Sequence, residues 1–476
     1  MSEGRSRGVS RAIVTAGFSA AMLAVLLAGA GAAIAQPVEV PPTWGGDLWS
    51  RPRLTGSWGG LRDTLGEKGV VLDLDLLLTP QDIWNGGLHN DEGIWGNAEY
   101  TLNVDTGKLG LWPGGFFKVS GQTGFGKSVI ADAGALMPIN TAALVPVPNE
   151  DDTALMHATF TQFLSPKFGM FLGKIYALDG LHGEFSGNYR DQFWNTGLTI
   201  PMVFALVPIS AYGGGIVVLP WKDIIFSAMA LDPRGTPNRD DLGEIFDDGV
   251  TVVGSLQAKI EPFGLLGHQT VGGTWSSANR LSLIQDPSNI ANTLLEQRFP
   301  ALSDPGPILT RILERFYPEL LIPTEPANRE DDSWAFFYSF DQYVWQPEGK
   351  PEAGIGLFFQ FGVSDGDANP IKYSYVLGIG GNGVVPGRPK DSFGVAWARA
   401  QFSDNLVPFL RKNLALGLQH EDAVEMYYNV ALTGWLSVSL DLQVIQTGLQ
   451  KKLGSGMELD DVDTVVVGGL RTYIRF

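Results

Sequence analysis

The chain carries 51 acidic against 33 basic side chains in 476 residues, a formal net charge of −18, and no cysteine. That balance excludes a nucleic-acid partner, which needs a basic face, and the missing thiols exclude a disulfide framework, so stability must come from pairing and burial. Sixty glycines, with 11% aromatic and only 18% charged residues, predict many tight turns between strands rather than a helical protein.

In chain order, Arg5, Arg7 and Arg11 precede an uncharged run from Ala12 to Ala33, and Ala33-Ile34-Ala35 supplies a small-x-small cleavage site. The run is long enough to span a bilayer, but the cleavage motif and the following Pro37, Pro41 and Pro42 favour removal. Residues 1–35 therefore read as a signal peptide and the mature chain as exported. Beyond it no uncharged stretch approaches the ~20 apolar residues of a membrane helix. Residues 36–69 read as a periplasmic N-terminal segment with a short amphipathic helix. Ser57 is placed to cap it, Trp58, Leu61 and Leu65 share one face, and Gly69 is placed to end it.

From Val70 onward the period changes to two, and residues 70–476 read as an all-β, antiparallel transmembrane β-barrel with extracellular loops. Ile94–Asp105 shows the pattern: Ile94, Gly96, Ala98, Tyr100, Leu102 and Val104 face one way, Trp95, Asn97, Glu99, Thr101, Asn103 and Asp105 the other. Alternation over about ten residues suits a tilted strand crossing a bilayer, apolar towards lipid and polar towards a lumen. Sixteen such segments are expected: 70–79, 94–105, 115–125, 154–164, 168–177, 210–219, 223–231, 250–260, 268–278, 333–344, 353–364, 372–381, 391–402, 423–433, 435–446 and 463–476. Leu414–Gln419 is merged with the strand that follows it. The long connections 126–153, 178–209, 232–249, 279–332, 403–413 and 447–462 follow odd strands, and short turns tend to follow even ones, the asymmetry of an outer-membrane barrel. Within 279–332, Ile308–Tyr317 has helical spacing, compatible either with a fold over the mouth or with a surface loop. In the last strand Phe476, Ile474, Thr472, Leu470 and Gly468 alternate with Arg475, Tyr473, Arg471 and Gly469. Phe476 and Ile474 are the expected assembly signal, read by outer-membrane lipid and the barrel-assembly machinery.

No catalytic motif is visible. The five histidines, His89, His157, His182, His268 and His420, have no metal-ligand spacing, so neither a metal nor a cofactor is expected, although an enzyme site assembled across a barrel would leave little trace. The polar row offers Trp95, Asn97, Glu99 and Lys118. The loop 178–209 adds a cluster of Glu184, Arg190, Asp191 and Trp194 before the apolar stretch Leu198–Leu206. Folded inward, Arg190 and Asp191 would meet hydroxyls and Trp194 would stack on a sugar ring. Such groups outline a carbohydrate path, and a hydrated pore without selectivity, weakly preferring cations, would have the same composition.

Four blocks carry a resemblance. They are Ser57-Trp58-Gly59-Gly60-Leu61-Arg62 with Leu65-Gly66-Glu67-Lys68-Gly69-Val70; Asp332-Ser333-Trp334-Ala335-Phe336-Phe337-Tyr338-Ser339-Phe340-Asp341-Gln342-Tyr343; Pro386-Gly387-Arg388 leading to Phe393-Gly394-Val395; and Glu425-Met426-Tyr427-Tyr428 leading to Trp435-Leu436 and Asp441-Leu442-Gln443. Together they resemble the carbohydrate-selective outer-membrane porins, the OprB-type family, from about residue 44 to the end. The resemblance implies a sixteen-stranded barrel in the bacterial outer membrane that passes sugars such as glucose by diffusion through a constriction formed by inward-folded loops. Monomer and trimer both stay open.

Overall fold

The structure is a computed structural model that describes residues 40–148, 150–180, 183–238, 242–285, 328–406, 419–453 and 459–476. The expected signal peptide, the Ile308–Tyr317 segment and nearly all of Leu414–Gln419 lie outside the described residues. Sixteen antiparallel strands close into one barrel. They are β1 (Val70–Asn85), β2 (Glu92–Asp105), β3 (Gly115–Gly126), β4 (Asp152–Ser165), β5 (Phe168–Tyr176), β6 (Ser210–Val218), β7 (Ile224–Leu231) and β8 (Thr251–Ile260). The second half comprises β9 (Gly267–Ser276), β10 (Ser333–Trp345), β11 (Gly354–Ser364), β12 (Ile371–Asn382), β13 (Ser392–Phe402), β14 (His420–Ala431), β15 (Leu436–Gln446) and β16 (Val465–Arg475). Two short ribbons, Arg280–Leu281 with Arg329–Glu330 and Lys451–Leu453 with Leu459–Asp461, stand outside the barrel ladder.

Each strand pairs with its neighbours in sequence, and β1 pairs with β16 to leave no edge, which satisfies the backbone where no water can. The inside-outside parity is the one the alternation predicts: Leu440 on β15 is 60% exposed on the outer wall, while Asp441 beside it is 6% exposed. A charge at position 440 therefore meets lipid. Leu440→Arg is expected to cost ~2–4 kcal/mol near the midplane and to leave unfolded chain on a heat-modifiability gel; a native mobility shift would contradict the register.

Two expectations need correction. β1 does not stop before Pro80 but runs to Asn85. Pairing to β16 passes from Leu78 opposite Thr472 to Gln81 opposite Gly469, so the missing proline N–H falls where that ladder is already interrupted. At the N-terminus Ser57 makes no side-chain cap. A turn of 3-10 helix, Trp58–Gly60, contains Gly59 at φ 69°, and α1 (Leu61–Glu67) starts from Gly60 at φ 94°, a left-handed conformation open to glycine. Gly69, at φ 83°, does end it. The buried face of α1 is also not the apolar one: Leu61 is exposed and Arg62 is buried. Its guanidinium donates to the Phe476 main-chain oxygen at 2.9 Å, the Leu72 carbonyl at 2.8 Å and Asp73 Oδ1 at 2.9 Å. α1 thus clasps the seam where the first and last strands meet.

The hydrophobic core sits inside the barrel. The described parts of the β3–β4 loop (127–151) and of the β5–β6 loop (177–209) enter the lumen. Their Val129, Met137, Ile139, Phe193, Leu198 and Val203 pack with inward-facing Phe358, Val376, Ala396, Ala398, Ala400 and Tyr427. Small alanines along β13 leave the space these side chains fill. On the other side, Phe204 and Val207 cover Phe171, Ile175, Met229, Leu231 and Val253. The lumen is therefore not polar and hydrated throughout, as the alternation alone suggested.

Candidate functional site: a lumen narrowed by two loops

The two loops are held by carboxylates on one strand. Glu421 and Glu425 are four residues apart on β14, hence on the same face, and both point inward, fully buried. Glu421 accepts the backbone N–H groups of Met137 at 2.6 Å, Leu136 at 2.9 Å and Gly448 at 3.0 Å. Glu425 accepts those of Trp194 at 2.6 Å and Asn195 at 2.9 Å. Burial of a carboxylate is tolerated only when several donors meet it, and here the donors are the loops themselves. Gln443 on β15 bridges the pair: its Oε1 accepts from the Asn195 side chain at 3.2 Å and its Nε2 donates to the Ile139 carbonyl at 2.9 Å. The loops also bond to each other, Thr141 N–H to the Trp194 carbonyl and Thr196 N–H to the Pro138 carbonyl, both at 2.8 Å. From β16 the Arg471 guanidinium donates to the carbonyls of Tyr189 at 2.6 Å and Gln192 at 2.7 Å.

The candidate residues divide among several settings. Glu99 and Arg190 come together as an ion pair between β2 and the β5–β6 loop, with the guanidinium 4.8 Å over the Tyr189 ring. Asp75 stands opposite Glu99 in the ladder and accepts the Tyr473 hydroxyl at 2.9 Å. Asp73, next inward on β1, is held by Arg53 and Arg62, each at 2.9 Å. Acid, phenol and guanidinium groups thus descend the β16–β1–β2 wall towards the end clasped by α1. Lys118 pairs instead with Asp179, with His157 Nδ1 4.0 Å from the same carboxylate. Burial would raise the Asp179 carboxyl, but the Lys118 ammonium beside it overrides that and holds it below the ordinary carboxylate range.

Trp95, Asn97 and Trp194 do not face open space. Trp95 is 1% exposed and donates from its indole to the Ala142 carbonyl at 3.3 Å, and Asn97 donates to the Val145 carbonyl at 3.1 Å. Both tie the β3–β4 loop to the wall. The Trp194 ring, also 1% exposed, lies under the Arg471 guanidinium at 4.8 Å and against Gly469, where a Cβ would stand 2.5 Å from the indole. It packs the loop and offers no free face for stacking. Glu184 accepts the Tyr343 hydroxyl at 2.7 Å. With Asp191 it lines a cavity of about 340 Å³ near the mouth that carries the β12–β13 and β14–β15 turns. Among the described residues no three His, Cys, Asp or Glu side chains converge as metal ligands.

The β3–β4 loop, Glu421, Glu425, Gln443 and Arg471 were not singled out from sequence for the narrowing. The visible signal for the glutamates is their inward parity on a strand whose other inward side chains include Ala423, Tyr427 and Asn429.

A family model described as carbohydrate-selective porin, OprB family, matches residues 93–476. Porin B of Pseudomonas aeruginosa is 29% identical over 148 residues, 28% of this chain; the match spans about a third (31%) of Porin B. Among solved structures, the high-pH structure of Pseudomonas putida OprB is similar at a TM-score of 0.71 and 19% identity, covering 90% of this chain and 100% of that one. The low-pH structure of the same protein gives 0.53 and 14%, over 90% and 99%. These structural likenesses show a shared fold.

Proposed function

This chain belongs to the OprB family of carbohydrate-selective porins, proteins of the bacterial outer membrane, and from that membership we propose that small neutral sugars, monosaccharides such as glucose, diffuse through it past the Arg190–Glu99 pair. The observation that carries this reading is the placement of that pair: a loop-borne guanidinium and a strand-borne carboxylate meet in the lumen, continued by Asp75 and Tyr473 along one wall. A hydroxyl both donates and accepts, so a row that offers both donors and acceptors can exchange partners with a passing sugar at modest affinity, which transport requires. The sugar leaves unchanged, and no catalytic step is assigned. The acid excess of the chain favours cations among ions, which supports a second reading as a general, weakly cation-preferring pore.

Glucose titration of single channels in a planar bilayer separates the two readings. Sugar recognition predicts that current is blocked saturably, and that Arg190→Ala raises ionic conductance and weakens glucose block about fivefold, the worth of ~1 kcal/mol in lost hydrogen bonding. Conductance without saturable block in the unsubstituted protein would leave only the general pore. We also take residues 1–35 as the cleaved export signal, residues 36–69 as the periplasmic segment, and the Phe476 strand as the part offered to the assembly machinery.

A further inference from the structure

We infer a second sugar subsite on the periplasmic side of the narrowing, in the cavity beneath the β5–β6 loop; it rests on the reading of the pore as a sugar channel. The cavity measures about 340 Å³, at the small end of the roughly 300–1,000 Å³ of ligand sites, enough for one hexose with some of its water. Its roof is the loop segment bearing Glu184 and Asp191. Its walls are the periplasmic ends of β12 to β16 and the β12–β13 turn, with Asn429, Ser437, Lys390 and Arg475. Chain segments far apart in sequence therefore converge there on one polar space.

Three observations favour a bound neutral sugar over plain hydration. The lining has three carboxylates, Glu184, Asp191 and Asp391, and two cations, Lys390 and Arg475, and Arg388, paired with Asp391 at 2.8 Å, supplies the third positive charge. The site is thus close to electroneutral and suits a polyol better than a uronate or an amino sugar. Next, polar capacity is left unused: Ser437 Oγ and Arg475 Nε are buried with no partner among the described residues, and Asn429, whose Oδ1 accepts from Ser439 at 2.8 Å, lines the same space. Unmet groups of this kind gain from a ligand that brings hydroxyls. Finally, no aromatic ring lines the cavity, so recognition rests on hydrogen bonds alone and discriminates sugars by hydroxyl configuration rather than by ring stacking. A sugar that has passed Arg190 would dwell here before release, and the same site would load sugar presented from the periplasm.

The test is glucose-induced current noise in oriented single channels, with sugar added to one side at a time. Asn429→Leu, which removes the amide and fills part of the cavity, is expected to raise the half-saturating glucose concentration for periplasmic addition about tenfold, with block from the extracellular side retained. Ser437→Ala, a milder change that preserves the strand, should shift the same component a few-fold. Glucuronate and glucosamine should block less than glucose from the periplasmic side. Native half-saturation from that side in both variants, with native heat-modifiable migration, overturns the subsite while the channel reading stands. Equal block by glucuronate overturns the neutral-sugar assignment. Absence of glucose block from either side in the unsubstituted protein overturns both.

Discussion

Replacing Glu425 by alanine is expected to open the pore. The carboxylate accepts two loop N–H groups, from Trp194 and Asn195, and hydrogen bonds to a charged group contribute ~1.5–3 kcal/mol each. Loss of both withdraws roughly 3–6 kcal/mol from the docking of the β5–β6 loop and strands two buried donors. The ties through Arg471, Gln443 and Thr141 remain, so the loop loosens without leaving the lumen altogether. The barrel should survive, because β14 pairs with β13 and β15 through its backbone. The expected readout is native heat-modifiable migration together with a severalfold rise in single-channel conductance and faster swelling of liposomes in sugars larger than glucose. Glu425→Gln keeps the shape but turns an NH₂ towards one of the donors, and should fall between the two. Unchanged conductance in both variants would mean that the loop is not held by this carboxylate.

The barrel was legible because lipid and lumen impose opposite demands on alternate residues, and a slip of one residue would exchange them. Leu440 and Asp441, or Leu470 and Arg471, declare their sides without any partner in view. Loop conformation follows no such rule. The β5–β6 loop announced itself by clustering Arg190, Asp191 and Trp194, yet the ring expected to meet sugar turned out to pack beneath Arg471. The β3–β4 loop gave no sign, since what docks it is largely backbone: the N–H groups of Leu136 and Met137 on Glu421. Backbone donors are the same in every sequence. For the same reason parity placed Trp95 and Asn97 correctly inside while hiding that they bond loop carbonyls.

Deletion of Phe476 is expected to abolish assembly. The sequence marked this residue by its outward row, and the structure adds two main-chain bonds: its N–H donates to the Leu74 carbonyl at 2.8 Å and its main-chain oxygen accepts from Arg62 at 2.9 Å. Ile474, its outward neighbour, stands opposite both Leu76 of β1 and Leu436 of β15, so this end of β16 is where the barrel closes. Without closure β1 and β16 would each present an unpaired edge to lipid, at several kcal/mol for every unsatisfied group. Deletion removes the side chain and shifts the clasp together. Phe476→Ala separates them, because it retains the N–H and the main-chain oxygen. If the aromatic side chain is the assembly signal, both variants should accumulate as misfolded, protease-sensitive chain in the periplasm. If the backbone clasp is what matters, Phe476→Ala should reach the membrane with native mobility and only the deletion should fail. Membrane yields matching the unsubstituted protein in both would show that closure relies on the ladder upstream of Ile474 alone.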